Sequence, residues 1–183
     1  MNVLGWNYRL TEIQAAIGIP QLKKLDYFNS VRVGLADSLT EGLKQFDFIT
    51  TPIVEKGCTH VYYLYPIRYH EERLGVSRSL FVKAMRAEGI SINESYVKPL
   101  YLDPIYQQKI VYGNKGCPFS CSFYGKDIRY EEGLCPTTER LYYKEMIITD
   151  ICKYPNSENE VEEFLAAVKK IANNIESLRN FEN

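Results

Sequence analysis

"THVYYLYPIRYH", residues 59–70, is the stretch on which the fold turns. Four tyrosines, a valine and an isoleucine lie within it. Such residues suit a pleated, half-buried surface, so the stretch reads as a strand. Alternation would put His60, Tyr62, Leu64, Pro66 and Arg68 on one face, and Val61, Tyr63, Tyr65 and Ile67 on the other. Pro66 cannot donate to a ladder, which predicts an edge position or a bulge there. Upstream, "FDFITTPIV" (46–54) reads as a second short strand, separated from the first by the turn-like "EKGC".

Working outward, helices flank these strands. In "GWNYRLTEIQAAIGIPQLKKLD" (5–26), Thr11 and Gln14 form a T-x-x-Q capping box. Leu10, Ile13, Ala16 and Ile17 follow at helical spacing, and Leu25, Phe28, Val31, Leu35, Leu39 and Leu43 extend the stripe. Pro20 predicts a kink or break, hence two consecutive helical pieces over 11–44. "VSRSLFVKAMRAEGI" (76–90) is a helix capped by Ser77 or Ser79, stopped at Gly89, with Leu80, Ala84 and Met85 as its buried stripe. "ISIN" (90–93) reads as a short strand. Residues 95–134 lose all periodicity and are punctuated by prolines and glycines, as functional or mobile segments are. Thr137 or Thr138 would cap a helix reaching Ile147, and "DICKYP" (150–155) would be a strand. The capping box Ser157-x-x-Glu160 opens a last helix burying Val161, Phe164, Leu165, Val168, Ile171 and Ile175. The order implies an α+β fold, a small, mainly antiparallel sheet covered by helices.

Composition excludes more than it assigns. The 183 residues carry a net charge of −1, which gives no pull toward nucleic acid or an anionic membrane. No apolar run is long enough to span a bilayer and no signal-peptide pattern opens the chain, so a cytoplasmic location is expected. Five cysteines are an odd number without a secretion signal, which argues for thiols rather than disulfides. Structural zinc asks for two tight ligand pairs; Cys117 and Cys121 make one loose pair, with Cys135 farther on, so no metal site is expected. Cys58 and His60 would share a strand face, yet no carboxylate stands nearby to orient the imidazole. Fifteen tyrosines, crowded in the middle third, suit a ligand wall or a subunit interface, and equally an aromatic core. No set of catalytic residues emerges from spacing alone.

The residues 5–26 stretch resembles the start of the C-terminal region in the DegT/DnrJ/EryC1/StrS aminotransferases. Further segments match in order: "HVYYLYPIR" resembles an H-x-Y-x-x-Y-x-I-R strand, and "LFVKAMRAEGISIN" a helix ending in E-G-I. "SYVKPLYLDPIY" resembles the loop Y-x-x-P-L-H-L-Q-P-x-Y, "CPTTERLYYKEMI" the C-P-x-A-E helix, and "YPNSENEVEEFLAAVKK" the closing helix. The resemblance implies the C-terminal small domain of a fold-type I, pyridoxal-phosphate (PLP) dependent enzyme. Such enzymes work as dimers and move an amino group, usually from glutamate, onto nucleotide-linked keto sugars for polysaccharide or glycoside synthesis. It implies a connector and dimer-contact segment at 1–44 and the small domain at 45–183.

The same resemblance assigns residues. Asn7 matches an asparagine that reaches the cofactor phosphate of the other subunit, and Arg9 an arginine near the active site whose planar fork suits phosphate or carboxylate. The plainer reading of both is packing at a helix entrance. His60, Tyr96 and Tyr101 correspond to substrate-facing positions. Tyr101 stands where the family more often has histidine, and a phenol would serve there as hydrogen-bonding or stacking surface. Glu139 matches the C-P-x-A-E glutamate, although Thr138 replaces alanine; its plainer role is a carboxylate in a helix's first turn. The family's cofactor-bonding lysine, pyridine-nitrogen aspartate and most of its phosphate cup belong to a large N-terminal domain, and no lysine here lies in that motif. Lys98 reads as a solvated loop residue. The chain alone is therefore expected not to transaminate, to self-associate through its uncovered N-terminal stripe, and to govern sugar choice through 95–134. The alternative is a stand-alone binding or assembly module without catalysis.

Overall fold

Thr11 opens the longest element. Its Oγ1 accepts from the Gln14 N–H at 3.2 Å, and Gln14 Oε1 accepts from the Thr11 N–H at 2.9 Å. In the computed structural model, which describes residues 8–109, 111–112 and 115–180, the 32-residue helix α1 (Glu12–Leu43) runs through Pro20 without a break. Pro20 removes only the bond to the Ala16 carbonyl, and that turn is exposed, so solvent satisfies the orphaned oxygen. The anchor is downstream, where Leu35, Ala36, Leu39 and Leu43 are buried. One helix therefore replaces the two pieces expected.

Four strands form one antiparallel sheet: β1 (Ile49–Thr50), β2 (Tyr65–Tyr69), β3 (Asn93–Glu94) and β4 (Met146–Thr149), in the order β1-β2-β4-β3. Tyr65 pairs with Thr149 and Ile67 with Ile147. β2 is shorter than its sequence suggests because Tyr62 adopts a left-handed φ of 45°, which ends an extended run. Arg32 Nη1 fixes this turn by donating to the Tyr62 carbonyl at 2.9 Å. Alternation consequently fails before Tyr65: Tyr62 enters the core, while Val61 and Tyr63 stay exposed. Pro66 is tolerated because β1 pairs only with Arg68 and Tyr69, leaving Pro66 without a neighbour on that side.

β4 is the larger departure. The expected helix to Ile147 stops early as α5 (Pro136–Arg140), continues as a π-helical turn (Leu141–Glu145), and gives way to strand. Cys135, not Thr137 or Thr138, occupies the cap, with Pro136 at the first helical position. The β-rich Met146–Thr149 sits between β2 and β3 with Ile147, Ile148 and Thr149 buried, whereas residues 150–155 form no strand.

Helices cover one face of the sheet. α2 (Glu71–Leu74) follows β2 directly and was not anticipated; α3 (Arg78–Ala87) is capped by Ser77, whose Oγ accepts from the Leu80 N–H at 3.3 Å. Its core contacts are Phe81, Val82 and Met85, with Leu80 and Ala84 half-buried at the flank. α4 (Pro104–Gln107) lies in the long connection; α6 (Glu158–Asn173) starts from the expected Ser157–Glu160 box, and Ile175 begins a separate α7 (Ile175–Arg179). Val161, Phe164, Val168 and Ile171 of α6 join α1, α3 and the sheet in one apolar core. Gly42 sits where a Cβ would collide with Leu165 of α6, so α1 and α6 pack at glycine distance. Thr40 Oγ1 donates to the Ala36 carbonyl and receives the buried Tyr65 hydroxyl at 2.7 Å, joining α1 to β2. No helix among the described residues is long and apolar enough to cross a membrane.

One buried charge stands among these elements. The Arg78 guanidinium donates to the carbonyls of Tyr142 (2.9 Å), Tyr143 (2.9 Å) and Met146 (3.1 Å), and lies 3.4 Å from Glu94 Oε2. Tyr142 and Tyr143 lie in the π-helical turn and Met146 directly follows it; the Met146 carbonyl also accepts from the Ser95 N–H at 2.8 Å. Arg78→Ala should therefore lower unfolding free energy by about 3 kcal/mol, because it takes away the guanidinium bonds of three carbonyls at once and leaves Met146 only the Ser95 N–H. Arg78→Lys should recover only part of this. Urea denaturation measures both; a loss below about 1 kcal/mol for the alanine variant would contradict the assignment.

Candidate functional site

The long connection between β3 and α5 is built from the residues that the sequence reading left without periodicity. It leaves the sheet through Ser95, buried and left-handed (φ 58°), whose N–H donates to the Met146 carbonyl at 2.8 Å. Tyr96 and Lys98 then project into solvent, and a 3₁₀ turn (Leu100–Leu102) leads into α4, which has Pro104 at its first position. Gln107 Nε2 donates to the carbonyls of both Tyr101 and Tyr130 at 2.6 Å, clipping the start of the connection to its end. Between those points Tyr106, Phe119 and Tyr130 pack their rings 5.3–5.9 Å apart. Cys117 and Cys121, expected as thiols, form a disulfide with Cα atoms 4.9 Å apart. A Lys109–Asp127 ion pair and a bridge between Tyr112 and Cys117 complete it. This segment has a miniature core of its own.

Tyr101 and Glu139, from two separate motifs, meet at the edge of this connection. The Tyr101 hydroxyl donates to Glu139 Oε1, and the Gly133 N–H donates to both carboxylate oxygens, at 2.7 and 2.9 Å. Gly133 holds a left-handed φ of 93°, which an L side chain resists. Burial, then the hydrogen bond and negative charge of Glu139, push the Tyr101 phenol up to about 12. The hydrogen bond from Tyr101 holds Glu139 below the usual carboxylate range. Glu139 is thus bound to a specific donor, a role that the plainer first-turn reading did not contain. Gln107 carried no signal in the sequence, and Gly133 read only as one of the glycines punctuating residues 95–134.

The other sequence-derived positions fall differently. His60 is exposed; its Nδ1 accepts from the Tyr62 N–H at 2.9 Å and its ring lies 4.2 Å from the Tyr62 ring. A neutral imidazole so held carries its proton on Nε2, which faces away from that bond. No hydrogen bond or ring contact among the described residues joins His60 or Tyr96 to Tyr101. Arg9 is exposed, with no ion pair among the described residues, three positions before α1. Asn7 lies outside the described residues. Residues 59–64 are not strand, so Cys58 and His60 share no strand face. Burial pushes the Cys152 thiol up to about 12, far from a reactive thiolate. No cluster of three or more metal-ligating side chains occurs among the described residues.

For a phosphate-bearing cofactor, the free guanidinium of Arg9 is a fitting contact. The described lysines do not offer a covalent anchor: none is buried, and the half-buried Lys109 and Lys153 are paired with Asp127 and Asp150.

Comparison with known proteins places this geometry. The sequence model of the DegT/DnrJ/EryC1/StrS aminotransferase family matches residues 1–145. An uncharacterized protein of Methanocaldococcus jannaschii is 29% identical over 168 residues, which cover 91% of this chain and 38% of that protein. The Bacillus subtilis spore coat polysaccharide biosynthesis protein SpsC is 27% identical over 124 residues, covering 68% of this chain and 32% of SpsC. The aminotransferase from Psychrobacter cryohalolentis superposes with a TM-score of 0.74 at 18% identity, covering 96% of this chain and 42% of that one; at this identity the likeness establishes the fold. The chain thus spans 38% and 32% of the two curated relatives.

The Tyr101–Glu139 pair has a defined pH signature. Glu139, lowered in the folded state, stabilises the fold above its ordinary pKa and loses that contribution as pH falls through the lowered value. Tyr101, raised, contributes below about 10 and loses it as pH rises through about 12. Carbon-13 NMR of tyrosine Cζ, assigned with Tyr101→Phe, should show Tyr101 titrating near 12 and moving toward 10 in Glu139→Gln. An unshifted phenol in the unmodified protein would refute the pairing.

Proposed function

We propose, since the chain belongs to the DegT/DnrJ/EryC1/StrS aminotransferase family, that it is the C-terminal part of a PLP-dependent sugar aminotransferase. The complete enzyme would transfer an amino group from glutamate to a nucleotide-linked keto sugar, in the cytoplasm, for polysaccharide or glycoside synthesis. The observation that carries this reading is the meeting of two family-like motifs at Tyr101 and Glu139, which makes one local site from segments 38 residues apart. When bound, PLP supplies the electron sink of the reaction. The residues of this chain bind and orient. Asn7 and Arg9 would offer an amide and a guanidinium to the cofactor phosphate of a partner subunit, Arg9 from three positions before α1. His60 presents Nε2–H, and Tyr96 and Tyr101 present ring and hydroxyl, toward the sugar nucleotide. Residues 1–44 act as connector and dimer contact, and 45–183 as the small domain.

The first half of α1 supports the dimer contact. Ile13, Ile17, Leu22 and Leu25 are all exposed, with Ile13 at 74% and Leu22 at 71%, and Leu10 just ahead of the helix is exposed too. Exposed apolar residues spread along a helix in this way are surfaces that associate.

Supplying the protein that carries this chain with PLP, glutamate and a nucleotide-linked keto sugar should yield 2-oxoglutarate and the amino sugar. Asn7→Ala should weaken PLP binding about tenfold, the effect of one hydrogen bond to a charged group. Absence of any PLP-bonded lysine domain in that protein would favour the binding-module alternative instead. Sedimentation should show a dimer, and Ile13→Glu with Leu22→Glu should shift it to monomer; a clean monomer at high concentration before substitution would count against the contact.

A further inference from the structure

We infer that Glu139 is a positioning residue that commits the Tyr101 hydroxyl proton, so that Tyr101 meets substrate only as a hydrogen-bond acceptor and reads a sugar hydroxyl rather than the diphosphate. The inference rests on the reading that residues 95–107 face a sugar nucleotide, and it specifies what that wall selects.

A phenol has one hydrogen to donate and lone pairs to accept with. In this structure the hydrogen goes to Glu139 Oε1. The carboxylate cannot swing away, because the Gly133 N–H holds Oε1 at 2.7 Å and Oε2 at 2.9 Å. Gly133 in turn is fixed in a backbone conformation that glycine adopts without strain. Tyr101 is held up and Glu139 down, so the proton stays on the phenol and the charge on the carboxylate throughout the neutral range. The Cys135 N–H favours the anionic forms of both groups, and the phenol oxygen, with two lone pairs, keeps one for a ligand.

The ligand chemistry follows from this polarity. An ionised diphosphate carries only acceptors near neutral pH, and it would face an acceptor backed by a negative carboxylate. Glu132 adds further negative charge in the same turn, while Glu131 is paired with Arg129 at 3.7 Å. The group that fits is a neutral donor, and a hexose ring is lined with them. Tyr101 is half-buried and its chain neighbour Leu100 is exposed, so a ligand has access to it.

Glu139→Gln makes a sharp test. The new amide can donate to the phenol oxygen, turning the Tyr101 hydrogen outward and converting the acceptor to a donor. Tyr101→Phe removes the acceptor outright. The probes are UDP and dTDP, alone and as their glucose conjugates, titrated calorimetrically into the protein that carries this chain. Both variants should weaken the glucose conjugates about tenfold and leave the bare diphosphates within about twofold. In turnover they should raise KM for the keto-sugar nucleotide while kcat and KM for glutamate hold, a split that a merely structural lesion would not give. Equal weakening of conjugates and bare diphosphates, unchanged affinity for the conjugates, or a rise in KM for glutamate instead would each overturn the inference. Failure of the unsubstituted protein to bind any of the probes is a different result: it would overturn the sugar-nucleotide reading itself.

Discussion

A guanidinium buried beneath the sheet's edge sets the order in which the rest of this structure can exist. Arg78 enters from the first turn of α3 and satisfies the carbonyls of Tyr142, Tyr143 and Met146, where a widened helical turn passes into β4. A π-helical turn leaves its last carbonyls without partners, and burying them unpaired costs more than the turn can recover from its own geometry. With Arg78 in place the chain can leave α5 and enter the middle of the sheet within five residues. That abrupt passage puts Glu139, on α5, within reach of Tyr101. The Nε of Arg78 is buried without a partner, a cost carried by the four contacts that its other nitrogens make. A structural charge in the core and a polar pair at the candidate site are thus parts of one dependency.

What could be read from sequence divides along physical lines. The capping boxes at Thr11–Gln14 and Ser157–Glu160 are local and self-sufficient, and both stand as expected. The α+β class and the coarse alternation of helices and strands follow from periodicity and survive, although the last strand lies at Met146–Thr149 and not at 150–155. β4 did not, because Met146–Thr149 is four residues long and follows a helical signal without a breaker; only its pairing with β2 and β3 makes it strand. Tyr62 deceived in the opposite way. Its composition is that of a strand, but Arg32, thirty residues earlier, holds its carbonyl in a turn. Pro20 marks where propensity yields to anchoring farther along the same helix.

The candidate site was legible residue by residue and illegible as an arrangement. Resemblance singled out Tyr101 and Glu139 separately, and nothing in their spacing says that one donates to the other. The clamp by Gly133 is a backbone interaction, which side-chain identity does not encode. The disulfide between Cys117 and Cys121 was hidden by an odd cysteine count, which says nothing of which thiols lie close together. α1 shows the same limit from the packing side. Its stripe is continuous in sequence, yet its second half is buried in this chain's core while its first half is exposed.

Gln107 has an implication for how such a wall can change over time. By holding the carbonyls of Tyr101 and Tyr130 with one amide, it closes residues 102–129 into a loop whose two ends are fixed to each other. The entropy of closing a loop grows only logarithmically with its length. Residues can therefore be gained or lost inside this enclosure without moving Tyr101, Glu139 or a single sheet register. The disulfide and the Tyr106–Phe119–Tyr130 cluster keep the contents folded independently of the sheet. The chain thus carries an exchangeable cartridge, free to be reshaped while its mounting stays the same.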